Sequence, residues 1–193
     1  MKREEARRGS YRIRMGLVLL ACSMVCSLSL AEGSRYSPDD VTAAMLVKLA
    51  SFIRWPPDHG FAQQPEPLRI TVIDDAPLAS ALRRLFHAGG TGGRKVEVHA
   101  QRTTDNLAPA HIFFVGDGQA HALNYIVEVA NSLHALTVAR TPGFARRGIG
   151  VNFYQERDRI RFEVNVRAIE KSGLRASYKL VSLARVVQGG GAR

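Results

Sequence analysis

LTVARTPGFARRGIGVNFYQERDRIRFEVN, residues 136–165, is the stretch whose periodicity decides the fold. It opens on a short apolar strand, Leu136–Ala139, and breaks at Thr141-Pro142-Gly143. It resumes at Ile149-Gly150-Val151-Asn152-Phe153-Tyr154, turns over Glu156-Arg157-Asp158 and returns as Arg159-Ile160-Arg161-Phe162-Glu163-Val164. Ile149, Val151 and Phe153 fall on one face at a period of two, and Ile160, Phe162 and Val164 do the same on the return. Alternation joined by a polar turn predicts a β-hairpin with one buried face. Arg161, Glu163 and Asn165 alternate with the apolar set, which puts them on the opposite face, opposite Asn152 or Tyr154. Nothing in the stretch has the make-up of a catalytic apparatus.

Upstream of it the chain alternates strands and helices. Ser37-Pro38-Asp39-Asp40 is a helix start, with Ser37 as N-cap, Pro38 as first helical residue and two acids at the positive end of the helix. Val41, Ala44, Met45, Leu49, Phe52 and Ile53 form the expected apolar stripe, and Pro56-Pro57 stops the helix near Trp55. Trp55 reads as a plug at the end of a core rather than as a ligand platform. Leu68–Ile73 is the first strand, Asp74-Asp75 follows it, and Pro77 opens a helix to about His87 with Leu78, Leu82, Leu85 and Phe86 inward. A strand, a loop and a helix in that order begin an α/β sheet. Downstream, Val166–Lys171 reads as a short helix ended by Gly173, and Leu174–Val187 as a second helix packed on the sheet.

Residues 32–193 are therefore expected to form one α/β domain. Its mixed sheet has roughly six strands, near 68–73, 95–100, 111–115, 135–139, 149–154 and 159–164. Helices flank the sheet; the first four strands follow a βαβ-like rhythm, and the C-terminal hairpin is followed by helices.

Several motifs invite chemistry. Asp74-Asp75 at a strand's end suits a metal or acid–base work, but no His or third carboxylate lies near in sequence, and helix capping by Asp75 is the plainer reading. Gly89-Gly90-Thr91-Gly92-Gly93 comes after a helix and leads into a strand, the wrong order for a phosphate loop, so it reads as a flexible connection. Val115-Gly116-Asp117-Gly118 lies between a strand and a helix, yet carries only the first half of a dinucleotide fingerprint, with His121 where the third Gly belongs. His59, His87, His99, His111, His121 and His134 show no metal-ligand spacing. No cofactor is expected.

The N-terminus carries an address. Met1–Arg14 holds six basic residues, Met15–Leu30 is an uncharged apolar run of 16, and Ser29-Leu30-Ala31 supplies small residues for cleavage. That order is a secretory signal peptide, residues 1–31, and the run is shorter than the roughly 18 apolar residues of a spanning helix. A retained anchor is the alternative, and Leu19-Leu20-Ala21-Cys22 offers a second one, a lipobox with lipid on Cys22. Both cysteines, Cys22 and Cys26, fall in this segment, so the expected mature domain has no thiol nucleophile or disulfide and relies on packing alone. The chain's net charge is +10, of which the signal contributes +4. The remaining basic residues are scattered, with only Arg83-Arg84 and Arg146-Arg147 adjacent, and export leads away from nucleic acid.

Six segments taken in order resemble the YfiR family of exported bacterial proteins. They are Val41-Thr42-Ala43-Ala44 through Phe52-Ile53-Arg54-Trp55-Pro56, Ala110-His111-Ile112-Phe113-Phe114-Val115-Gly116 and Leu136-Thr137-Val138. The others are Pro142-Gly143-Phe144-Ala145, Arg161-Phe162-Glu163-Val164-Asn165 and Gly173-Leu174-Arg175-Ala176-Ser177-Tyr178-Lys179-Leu180. Order and spacing match across residues 38 to 187. The resemblance implies a periplasmic α/β protein, not an enzyme, that represses a membrane-anchored diguanylate cyclase through its periplasmic sensor region. That lowers cyclic di-GMP signalling and restrains biofilm formation. It also implies relief by an outer-membrane lipoprotein and a homodimer. Family members often carry Cys where this chain has Ala110, so their redox control is not expected here. The candidate contacts for a partner or ligand are Asp74, Asp75, Asp117, Phe144, Arg146, Arg147, Arg161 and Glu163. A second reading is a periplasmic small-molecule or nucleotide binder, or an enzyme, built on the loops at 74–75 and 116–118.

Overall fold

The computed structural model describes residues 37–57, 66–86, 95–157 and 159–189, and Pro38–Arg193 form one compact unit. The expected signal segment with Cys22 and Cys26, the glycine run at 89–93, His59 and His87 lie outside the described residues.

β4 (Ile112–Val115) is apolar throughout, β2 (Leu68–Ile73) and β5 (Leu136–Ala139) are apolar but for Arg69, Thr71 and Thr137, and all three strands are buried on both faces except at the partly exposed Arg69. Runs of that kind belong in the middle of a parallel sheet covered on both sides. β2 pairs in parallel with β3 (Val96–Gln101) on one side and with β4 on the other, and β4 pairs in parallel with β5. β5 then meets β6 (Val151–Glu156), which turns back antiparallel onto β7 (Arg159–Val164). The hairpin is in the expected register: Asn152 faces Glu163 and Tyr154 faces Arg161.

Alternate residues point to opposite faces of a strand, and the two faces have separate cores. On the first, Ile70, Val72, Ile112, Phe114, Leu136, Val138, Val151, Phe153 and Val164 pack against α1 (Pro38–Ala50) and α2 (Ala76–Phe86). Trp55 is buried in this same core, the plug expected of it. On the second, Ile73, Phe113, Val115 and Ala139 pack against α3 (Leu123–Ser132) and the 3-10 turn Phe144–Arg147. Among the described residues no helix is long and apolar enough to cross a membrane.

Five expectations need correction. The first helix ends at Ala50, not near Trp55, because Ile53–Arg54 (β1) leave it to pair with Arg175–Ala176 (β8). Its buried face runs through Ala43, Leu46, Val47 and Ala50, while Val41 is 41% exposed. Nearly every residue from Val41 to Ala50 is small or apolar, so the helix has no clear polar face from which to read its orientation. In α2, Leu78 and Leu82 are buried as expected but Leu85 is exposed.

Ile149 lies in the second core, apart from Val151 and Phe153. Gly148 has φ +107° and the strand starts only at Val151, so a period-two count from Ile149 begins on the wrong side of a bend.

The last correction is the largest. Leu174–Val187 is not one helix: after β8 comes α5 (Tyr178–Leu183), then β9 (Arg185–Val186), which pairs in parallel with β7 and makes the sheet seven-stranded. Ser177 breaks the run by capping α5, its Oγ accepting the Leu180 N–H at 3.3 Å. Only Leu180 of α5 is buried, and Tyr178 and Leu183 are 87% and 64% exposed. The preceding helix, α4 (Val166–Lys171), follows expectation, with Gly173 at φ +72° closing it.

Candidate functional site

Neighbouring strands β2 and β4 send their helices to opposite faces of the sheet. α2 buries Leu78 and Leu82 in the first core, and α3 buries Leu123 and Ile126 in the second. The chain therefore reverses its winding between β2 and β4, and the loops leaving the two strands diverge. A crevice opens there, at the carboxyl ends of the strands. Its volume is about 510 Å³, and Asp74, Asp75, Ala100, Arg102, Asp117 and Arg140 are among its walls.

Asp74 and Asp75 leave β2 in opposite directions. Asp74 has φ +57°, a left-handed backbone that Asp and Asn tolerate better than most residues, and its side chain is exposed to the crevice. Asp75 turns inward and caps α2: its Oδ1 accepts the Leu78 N–H at 3.1 Å. The capping role expected of Asp75 is thus met, although capping uses only one of its two oxygens. The other, Oδ2, is 2.6 Å from Arg140 Nη2.

Arg140 is the residue that sequence reasoning missed. It is the first residue past β5, and its second nitrogen, Nη1, donates to Asp39 Oδ1 at 2.6 Å. One guanidinium thus links the end of β5 to the first turns of α1 and α2, spanning 101 positions of sequence on the Asp39 side. No local spacing rule reveals such a link. The only clue was a lone Arg at the end of a buried, mainly apolar strand, with two acid pairs, Asp39-Asp40 and Asp74-Asp75, each beside a helix start.

Burial, the largest influence, raises the Asp75 carboxyl above its ordinary value; the Leu78 amide and Arg140 oppose this, and Asp39 and Asp117 reinforce it. Burial also works against the charge on Arg140, but the Asp39 hydrogen bond and the field of Asp75 outweigh it and hold the guanidinium more firmly charged than usual. The partners fare differently because Arg140 has two carboxylates, whereas Asp75 shares its one guanidinium.

Asp117 completes the crevice on the β4 side, in the 3-10 turn Asp117–His121, and accepts the Thr141 hydroxyl at 2.6 Å. The glycines flanking it have a packing explanation. A Cβ on Gly116 would stand 2.2 Å from the Asp74 carbonyl oxygen, and one on Gly118 would stand 2.5 Å from Asp74 Oδ2. At Gly116 the two loops approach so closely that only glycine fits, whereas at Gly118 only the movable Asp74 side chain stands in the way, so backbone packing explains the first glycine of the Gly-x-Gly pattern without a nucleotide. Gln119 ties them together, donating through Nε2 to Asp74 Oδ2 at 3.2 Å. Among the described residues no group of three or more His, Cys, Asp or Glu side chains is placed to hold a metal ion.

The other candidates lie elsewhere. Phe144 is buried in the second core, with Arg147 stacked on its ring at 5.5 Å from the centroid. Arg147 also donates to the Ala120 carbonyl at 2.8 Å, and Arg146 is exposed beside it. Arg161 is exposed and pairs loosely with Glu156 at 3.5 Å. Glu163 is buried and ion-paired to Arg185, whose guanidinium also lies 4.4 Å from the centre of the Tyr154 ring. Asn165 caps α4 through Ala168 N–H and donates to the Ala145 carbonyl at 2.7 Å. Of the eight candidates, the fold gathers Asp74, Asp75 and Asp117 in one place and leaves the rest apart.

Comparison with known families places this architecture. A family model described as YfiR/HmsC-like matches residues 39–185, most of the chain. The chain belongs to the YfiR/HmsC-like family. The match starts at Asp39, the outer partner of Arg140, and ends at Arg185, the partner of Glu163. It therefore spans the whole sheet of this YfiR/HmsC-like domain except half of β9. No curated protein matches the chain.

Proposed function

We propose that this protein is an exported regulator that acts by binding and not by catalysis. In this reading it holds down a membrane-anchored diguanylate cyclase, or a similar sensor, by contacting its periplasmic region, and so lowers cyclic di-GMP. The observation that carries the reading is family membership across residues 39–185. The basic and apolar order of residues 1–31 supports export to the compartment where such a contact is made. An outer-membrane lipoprotein that sequesters the regulator and a homodimeric state belong to the same reading.

The contact is assigned to the C-terminal edge of the sheet. Tyr178, Leu183 and Val186 stand exposed there within nine residues of chain, beside the short edge strand β9. Large apolar side chains held in water at a sheet edge are costly unless something covers them. Arg146, Arg147 and Arg161 are exposed basic residues suited to an acidic rim on the partner.

Deleting the gene should raise cellular cyclic di-GMP and biofilm formation, and wild-type protein should restore both. A Tyr178→Ala, Leu183→Ser double variant should fail to restore them while melting at the wild-type temperature. Unchanged cyclic di-GMP in the deletion strain would refute the regulatory reading. Full rescue by the double variant would refute the assigned surface alone.

A further inference from the structure

The crevice between β2 and β4 has the position of a ligand site but the wrong charge for the commonest ligands of that position. Open α/β sheets bind at the carboxyl ends of strands where the winding reverses, and phosphates are favoured there because helix N-termini point into the crevice. Here the N-terminus of α2 is already capped by the Asp75 carboxylate. Asp74 and Asp117 add two more carboxylates to the walls. Against these three carboxylates stand only Arg102 and Arg140, so a phosphate entering this space meets a lining of net negative charge.

What remains on offer can be counted by charge. Asp75 and Arg140 are engaged with each other. Asp74, Asp117 and Arg102 are exposed and line the crevice, giving two carboxylates and one guanidinium, and each carboxylate has a second oxygen beyond the one that accepts from Gln119 or Thr141. Ala76, Pro77 and Ala100 provide an apolar wall between them. Acids and a base spread along one lining suit an extended molecule better than a point charge, and among the described residues no group of three or more His, Cys, Asp or Glu is placed to hold a metal ion. At about 510 Å³ the space falls in the range of small-molecule sites, roughly 300–1,000 Å³.

We propose that this crevice binds a small basic amino acid: two cationic groups set against Asp74 and Asp117, the carboxylate against Arg102, and the aliphatic stem along Ala76, Pro77 and Ala100. The match is in charge number as well as sign, and guanidinium–carboxylate pairing of this kind is strong and geometrically selective. The site is independent of the partner surface assigned above, so either can fail without the other.

Isothermal titration of the purified full-length mature protein tests it, with L-arginine, agmatine (arginine without its carboxylate) and AMP as probes. Arginine should bind saturably, and Asp74→Asn and Asp117→Asn should each weaken it by about tenfold or more. Asn tolerates the left-handed backbone at position 74, so that variant removes charge without straining the turn. Arg102→Gln should weaken arginine but leave agmatine unchanged. Asp105→Asn, an exposed acid outside the crevice, should bind as wild type, and melting curves should show every variant folded. Absence of saturable arginine binding, equal binding by the Asp74 and Asp117 variants, or tighter binding of AMP would each overturn the proposal.

Discussion

The crevice and the C-terminal segment are opposites in how sequence maps to environment. Residues 74–75, 116–118 and 140 are charged or glycine and read as surface, yet the fold locks them together: Asp75 is buried, Arg140 is shared by two helices, and Gly116 abuts the Asp74 backbone. Residues 174–187 are rich in apolar side chains and read as a packed helix, yet Tyr178, Leu183 and Val186 are in solvent. The difference teaches where constraint lies. At the crevice it comes from backbone proximity and paired charge, and in the C-terminal segment a few short contacts (β8 on β1, β9 on β7) override the apolar pattern.

The comparison breaks most easily at Gly116. With a Cβ 2.2 Å from a backbone oxygen and 2.8 Å from the Ile73 carbonyl oxygen, Gly116→Ala must push β2 and β4 apart at their ends. Overpacking of this kind costs about 3 kcal/mol or more. Gly118→Ala meets only the Asp74 side chain, which can swing away, and should cost about 1 kcal/mol. Urea denaturation of both variants measures the contrast. Equal losses would mean that the two strand ends are not rigidly apposed.

Much of the fold was legible because the sheet is built from strong local patterns. β2, β4 and β5 are mainly apolar runs between turn residues, and the hairpin alternates cleanly from Val151 to Val164. Local chemistry also exposed the caps, with Asp75 before α2 and Gly173 after α4. What was not legible depends on distance along the chain. The orientation of α1 is set by which neighbours it meets, not by its own nearly all-apolar circumference. The two-residue strands β1, β8 and β9 are too short for any period to show. Arg140 carried no signal of its role, because both of its partners belong to other elements. The acids of the crevice were found because they sit at strand ends, where a local reading and a spatial one agree.

Arg140→Ala sharpens the comparison at the next level down. It leaves Asp75, 95% buried at its side chain, without its guanidinium, and it releases Asp39 from α1's side of the link. Removing one member of a buried pair costs about 3–5 kcal/mol. A third of the Arg140 side chain is in solvent, so screening reduces the expected loss to about 2 kcal/mol. Adding Asp75→Asn to Arg140→Ala should recover part of it, because the uncompensated charge is then gone. A double variant no more stable than Arg140→Ala alone would mean that the guanidinium acts only through Asp39.

The smallest effect is the pH dependence of Asp75→Asn, and its sign follows from the carboxyl's surroundings. Burial raises the Asp75 carboxyl above its ordinary value, against the pull of the Leu78 amide and Arg140. A carboxyl that holds its proton more tightly in the fold than in the unfolded chain favours folding when protonated. That contribution is fully present below the unfolded value of about 3.9 and is lost as pH rises through the raised folded value. Asn carries no charge to desolvate, and its side-chain oxygen is equally able to cap α2 at the Leu78 N–H. The variant's stability relative to wild type should therefore improve as pH rises from about 3.9 through the raised folded value, by less than the Arg140→Ala loss. Denaturant midpoints of the two proteins at matched ionic strength across that range give the difference directly. If it instead falls with rising pH, the attraction of Arg140 outweighs the cost of burial, and Asp75 is held as a carboxylate because the pair favours it.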